Sequence, residues 1–132
     1  MRRAVIYGRT VEMQGSPYTF LVYRTGFGGD LLHDIAAAYE DNPPDMSMLL
    51  QIAWAMAKTH DDSVSEYADW LREFDPKSFA IGDADAWGVI DSAISAELFR
   101  RAKAGRARKW IAGRMGRMAQ RVGALADRLL AR

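Results

Sequence analysis

Residues 46–58 read MSMLLQIAWAMAK, and this stretch decides the fold. Apolar side chains occupy nearly every position of it rather than one stripe, a pattern typical of a helix that is buried all round. Asp45 precedes it and can accept hydrogen bonds from the free N–H groups of its first turn. We therefore predict a helix over Met46–Lys58 at the centre of the core. Its least exposed residues should include Leu49, Ile52, Trp54 and Met56.

The N-terminal region predicts a hairpin followed by an ambiguous segment. Over Val5–Met13, apolar residues alternate with others around a turn at Gly8-Arg9. Ser16-Pro17 is a typical helix start, because Ser caps a helix well and Pro fits its first turn. From there to Tyr23 the chain fits either a short helix or a strand. Three glycines should end it: Gly26, Gly28 and Gly29.

Amphipathic helices are predicted on both sides of the central one. Asp30 can cap a helix over Leu31–Glu40, and the Pro pair that follows ends it. Ser63 and Glu66 have the spacing of a capping box, which opens a helix that ends near Phe74. The next helix is predicted over Ala84–Arg101. Its inward residues should be Trp87, Ile90, Ile94 and Leu98.

Charge divides the chain into two parts. Residues 1–99 hold seven Lys or Arg and sixteen Asp or Glu, so their net charge is 7 − 16 = −9. Residues 100–132 hold eleven Lys or Arg and one Asp, so theirs is 11 − 1 = +10. We predict an acidic helical body with the hairpin over residues 1–104 and a basic, heptad-patterned helix over 105–132. The fold class is therefore mainly α: a compact helical domain with a small N-terminal β-hairpin and a long basic C-terminal helix.

The basic segment carries the strongest binding signal. Its apolar residues follow steps of four and three, which is the seam of a coiled coil, and an Arg row runs beside that seam. We expect a partner helix to present apolar residues to the seam and carboxylates to the Arg row. The predicted partner-binding residues are Trp110, Ile111, Met115, Met118, Val122, Leu125, Leu129, Arg114, Arg121 and Arg128.

The surface that covers this seam stays open at the level of sequence. Gly113, Gly116 and Gly123 each cost about 1 kcal/mol of helix stability relative to Ala, so the helix needs a surface on which to form. That surface could be the acidic body, another protein, nucleic acid or a membrane surface. Nucleic acid is suggested by a basic and aromatic cluster: Arg106, Arg108, Lys109 and Trp110.

Patterns typical of catalysis or cofactor binding are missing from the sequence. The chain has no Cys, which excludes disulfides and thiolate sites. The glycines of residues 26–29 fail the dinucleotide pattern, and no phosphate-loop motif occurs. His33 and His60 lack a His partner at helical spacing, and Asp83-Ala-Asp85 lacks the rest of a calcium loop, so both Asp are interpreted as helix caps. We expect no enzymatic activity, no metal, no cofactor, no membrane span and a cytoplasmic location.

The order of the elements resembles the tail assembly chaperones of long-tailed bacteriophages. The similar strings are the hairpin VIYGRTVEM, the segment GFGGDLLHDI, the apolar helix LLQIAWAMAKTH and the Trp-containing acidic helix VSEYADWLREFD. The resemblance covers about residues 3–100 and does not extend to the basic heptads. It implies a small helical fold without enzymatic activity that binds the aggregation-prone tape measure protein during tail tube assembly. It also implies self-association.

A second hypothesis is a small nucleic-acid-binding or regulatory protein that uses the basic C-terminal helix. The −9 body weakens this hypothesis, because it repels phosphate. Nucleic acid is therefore not the partner that the sequence favours.

Overall fold

A computed structural model describes residues 1–41 and 44–99 of the chain. The described elements, in chain order, are β1 (Arg2–Ile6), β2 (Arg9–Met13), α1 (Pro17–Phe27), α2 (Leu31–Ala38), α3 (Met46–His60), α4 (Tyr67–Arg72), a 3₁₀ turn (Pro76–Ser78) and α5 (Ala84–Leu98). Mostly helical structure with one antiparallel hairpin confirms this part of the predicted fold class. The predicted basic C-terminal helix lies outside the described residues.

Helix α3 forms the centre of the core, as predicted. Every residue from Ile52 to Ala57 is buried, and Leu49 is buried as well. The Asp45 carboxylate accepts a hydrogen bond of 3.3 Å from the Met48 N–H, which confirms the predicted cap. Strand β2 and the other four helices all contact α3. Alanines between its large side chains let those elements approach from several sides.

The hairpin turns one residue earlier than predicted. Tyr7 and Gly8 occupy the turn with φ values of 47° and 76°, and Arg9 already pairs with Ile6 in the ladder. Positive φ at both central positions matches the twist of a two-residue hairpin. The buried face of the hairpin consists of Ala4, Ile6, Val11 and Met13. These are the alternating residues on which the prediction rested.

The ambiguous segment is a helix. The Ser16 side chain accepts a hydrogen bond from the Tyr18 N–H, and the Thr19 hydroxyl accepts one from the Ser16 N–H, which completes a capping box. The helix continues past Tyr23 to Phe27. Gly28, with φ 73°, then ends it in the left-handed conformation that glycine adopts without strain.

The predicted capping box of α4 is wrong. The Ser63 side chain donates to Asp61 at 2.6 Å instead, and the helix begins only at Tyr67. Asp61 follows the last turn of α3, so its carboxylate lies close enough to hold Ser63. Glu66 lies 3.6 Å from the Lys58 ammonium as an ion pair. A local turn, in which both the Ser63 N–H and its hydroxyl donate to Asp61, therefore replaces the predicted cap.

Two other boundaries differ from prediction. Helix α2 ends at Ala38, and the Asp30 side chain makes no capping hydrogen bond although it occupies the cap position. Helix α5 ends at Leu98 rather than Arg101. In α5, Ile90 and Ile94 are buried as predicted, whereas two residues predicted to face inward are only partly buried: Trp87 and Leu98.

Candidate protein-binding surface

Helix α1 carries apolar side chains on both of its faces. Thr19, Val22 and Tyr23 are buried towards the core. On the opposite side, Tyr18 is 49% exposed, Phe20 45% and Leu21 58%. Three large apolar side chains within one helical turn are left without a covering element in the described structure. We call Tyr18, Phe20 and Leu21 the α1 outer face.

The start of α1 is attached firmly to α3. Thr19 is fully buried, and its hydroxyl lies 2.9 Å from that of Thr59. The Thr59 hydroxyl in turn donates to the Ala55 carbonyl oxygen at 2.6 Å. Buried hydroxyls that are paired in this way avoid the cost of desolvation. The α1 outer face is thus presented from a fixed helix.

A second attachment joins α1 to α2. The buried Tyr23 hydroxyl donates to the Asp34 carboxylate at 2.7 Å and lies 3.2 Å from the Gln51 side-chain oxygen. Burial, and then the hydrogen bond to Asp34, raise the pKa of Tyr23 well above its ordinary value. The phenol therefore remains a hydrogen-bond donor well into the alkaline range. It fixes the spacing between the two helices.

An open groove of about 320 Å³ lies beside the α1 outer face. It runs between the start of α1, the start of α2 and the end of α5. The lining residues are Gly15, Ser16, Pro17, Phe20, Leu31, Leu32, Glu97 and Leu98. Phe20 belongs both to the groove and to the α1 outer face, so the two form one continuous apolar surface.

The polar end of the groove is built around Glu97. Its carboxylate accepts a hydrogen bond of 3.2 Å from the Gly15 N–H and lies 3.5 Å from the amino terminus of Met1. A Cβ on Gly15 would lie 2.3 Å from the Glu97 carbonyl oxygen, so only glycine permits this approach. The carboxylate thus joins the end of α5 to the hairpin and leaves the rest of the groove apolar.

A second exposed apolar patch lies in the loop before α5. Ile81 is 91% exposed and Phe79 is 53% exposed, with the Phe79 ring 5.1 Å from that of Tyr7. Behind it, the Arg9 guanidinium stacks on Phe74 at 4.9 Å and pairs with Glu73 at 2.8 Å. These contacts attach the loop and α4 to the hairpin. We therefore interpret Phe79 as structural.

Two of the polar residues considered from sequence, His60 and Asp83, have structural partners. His60 lies 3.1 Å from the Glu12 carboxylate and 3.3 Å from the Gln14 side chain. Asp83 caps α5 through the Asp85 N–H at 3.0 Å, whereas Asp85 itself lies within the first turn. Within residues 1–41 and 44–99, no group of three or more His, Asp or Glu is placed to hold a metal ion.

Each predicted partner-binding residue lies outside the described residues. This applies to Trp110, to the Ile111–Leu129 seam and to Arg114, Arg121 and Arg128. The α1 outer face, in contrast, was not predicted as a site. A signal for it was present, because apolar residues fill so much of 18–23 that a helix there must expose some of them.

Comparison of the chain with protein-family models, curated proteins and solved structures finds no match. Among the described helices, none is long and apolar enough to cross a membrane. The contacts, exposure and charges of the described residues therefore carry the functional interpretation.

Proposed function

We propose that this chain is a phage tail assembly chaperone, which binds the tape measure protein and keeps it soluble while the tail tube assembles. The observation that supports this most directly is the α1 outer face. Exposed apolar patches of this kind, rimmed by polar residues, mark surfaces that bind other proteins. The resemblance in residues 3–100 supplies the identity of the client.

The chemistry of the surface suits a holding function. An amphipathic client helix can lay its apolar side on the α1 outer face, where anchor side chains spaced by three and four residues make the contacts. The α1 outer face, Tyr18, Phe20 and Leu21, offers such anchors a broad apolar surface. A holding function requires no catalytic residue. The net charge of −9 on residues 1–99 favours clients with basic faces.

A solubility assay with a co-expressed tape measure protein tests this function. We expect the tape measure protein to move from the pellet to the soluble fraction when the chain is present. Leu21→Lys should reduce this effect, and Val5→Lys is the matched control, because Val5 on the hairpin is 56% exposed and Leu21 58%.

Two results would count against the proposal. If the tape measure protein stays equally insoluble with and without the chain, the assigned function is wrong. If the chain keeps it soluble but Leu21→Lys behaves like Val5→Lys, the client binds elsewhere.

The second hypothesis is nucleic-acid binding through a basic and aromatic cluster: Arg106, Arg108, Lys109 and Trp110. A titration with duplex DNA separates the two hypotheses. The acidic body should limit affinity for duplex DNA to ordinary non-specific values, with dissociation constants of about 10⁻⁴–10⁻⁶ M at physiological salt. Nanomolar, sequence-dependent binding in a titration would favour this second hypothesis.

A further inference from the structure

We propose that the basic C-terminal segment of this same chain docks its apolar seam, Ile111–Leu129, into the groove between α1, α2 and the end of α5. This inference concerns the groove rather than the client, and it does not depend on the chaperone function. Four observations carry it: where the described chain ends, what lines the groove, how charge is distributed and what the segment needs in order to be stable.

The first observation is position. Leu98, the last residue of α5, lines the groove itself. The seam begins at Ile111, which is 111 − 98 = 13 residues later. Thirteen residues can span at most about 45 Å, so the seam can return to the groove without strain. Because the two parts are tethered, the effective concentration of the seam at the groove is of millimolar order.

The second observation is that both surfaces are apolar. The groove has an apolar lining formed by Phe20, Leu31, Leu32 and Leu98. The seam offers apolar residues in steps of three and four. Alanines at 112, 119 and 126 flank it, so a helix formed by this segment could approach the groove closely.

The third observation is charge. From residue 30 to residue 57, which includes all of α2, the chain has five acidic residues and no Lys or Arg. From residue 78 to residue 99, which includes all of α5, it has four acidic residues and no Lys or Arg. Helices α2 and α5, two of the three helices that border the groove, therefore carry acidic residues and no Lys or Arg. Residues 100–132 have a net charge of +10, so the acidic residues of α2 and α5 attract them.

The fourth observation is the weakness of the isolated segment. Its three glycines and its length of about three heptads make an independent helix marginal in water. Burial of the seam supplies the missing stabilisation. The groove is likewise an apolar surface that lacks a covering element within the described residues. Docking of the seam into the groove both stabilises the segment and covers the groove.

Disulfide trapping in the full-length chain tests this arrangement, because the chain has no Cys of its own. Leu32→Cys places one thiol in the groove. The second thiol is placed in the seam, as Met115→Cys, Met118→Cys or Val122→Cys in separate variants. The matched controls are Arg117→Cys and Gln120→Cys, which lie on the opposite side of the heptad.

After mild oxidation at micromolar protein, we expect at least one seam variant to form the intrachain disulfide at least fivefold more than either control. Mass spectrometry of the non-reduced digest measures the yield, and non-reducing electrophoresis separates intrachain from interchain products. Circular dichroism checks that each variant is folded. Equal yields in seam and control variants, or no disulfide in any of them, would overturn the proposal. Predominant interchain disulfides would also overturn it, since they would place the segment of a second copy in the groove.

Discussion

The hydroxyl of Tyr23 donates a 2.7 Å hydrogen bond to the carboxylate of Asp34, and this contact sets the distance between α1 and α2. Both helices border the groove, through Phe20 on one side and Leu31 and Leu32 on the other. A buried phenol that contacts two acceptors is thus part of the framework that shapes the candidate binding surface.

We expect Tyr23→Phe to destabilise the protein. The change removes the donor and leaves the part-buried Asp34 carboxylate with one partner fewer, at a cost of about 1–3 kcal/mol. Urea denaturation at neutral pH measures the loss. Tyr18→Phe is the control, because Tyr18 is 49% exposed, and it should change stability much less. Equal effects in the two variants would show that the Asp34 contact contributes nothing.

Stability should fall in alkaline solution, partly through Tyr67. Burial, and secondarily the nearby Asp45 charge, raise the pKa of Tyr67 to about 12 from an ordinary value of 10.0. Since the unfolded chain releases this proton first, the contribution is complete below pH 10 and is lost as pH rises from about 10 to 12. Denaturation at a series of pH values should show a shallower alkaline decline for Tyr67→Phe than for the wild type. An unchanged slope would contradict the assignment.

Trp54→Ala should be severely destabilising. Trp54 is 2% exposed, its indole N–H donates to the Ser65 carbonyl oxygen at 2.8 Å, and its ring packs against Phe27. Removing a fully buried Trp side chain costs roughly 3–5 kcal/mol. Chemical denaturation measures the loss. A change below about 1 kcal/mol would mean that Trp54 is exposed and that α3 is not the central helix.

Two helical glycines should respond to alanine in opposite directions. A Cβ on Gly26 would lie 2.8 Å from the Trp54 ring, which its hydrogen bond and neighbours hold in place, so Gly26→Ala should cost about 1–3 kcal/mol. A Cβ on Gly88 in α5 meets nothing within 4 Å, so Gly88→Ala should stabilise the protein by roughly 0.5–1 kcal/mol. Thermal denaturation compares the two. If both substitutions change the stability in the same direction, the close packing of α1 on Trp54 is contradicted.

The C-terminal segment should depend on its seam more than on its charges. Met118→Asp with Val122→Asp places charges in the apolar seam, whereas changing Arg114, Arg121 and Arg128 to Gln removes exposed pairs worth typically under about 1 kcal/mol each. We expect the Asp variant to increase amide hydrogen exchange in α1 and at the start of α2, and the Gln variant to have a much smaller effect. If the Gln variant proves the more damaging, electrostatics hold the segment and the seam does not.

Local signals in the sequence predicted α3, its Asp45 cap and the alternating face of the hairpin. Each of these depends on residues close together in the chain and on one strong pattern, either apolar residues on all sides or strict alternation. Such patterns bury the same side chains whatever the neighbouring elements are. For α1, the apolar residues fit both the helical and the strand period, so the sequence did not decide between helix and strand.

The tertiary structure alone decided the features that depend on distant residues. The approach of Glu97 to Gly15, 82 residues away in the chain, forms the polar end of the groove. The exposure of the α1 outer face likewise depends on packing, because burial of Thr19, Val22 and Tyr23 towards the core leaves Tyr18, Phe20 and Leu21 outside. A sequence shows which side chains are apolar, but which of them remain exposed is determined by how the helices pack.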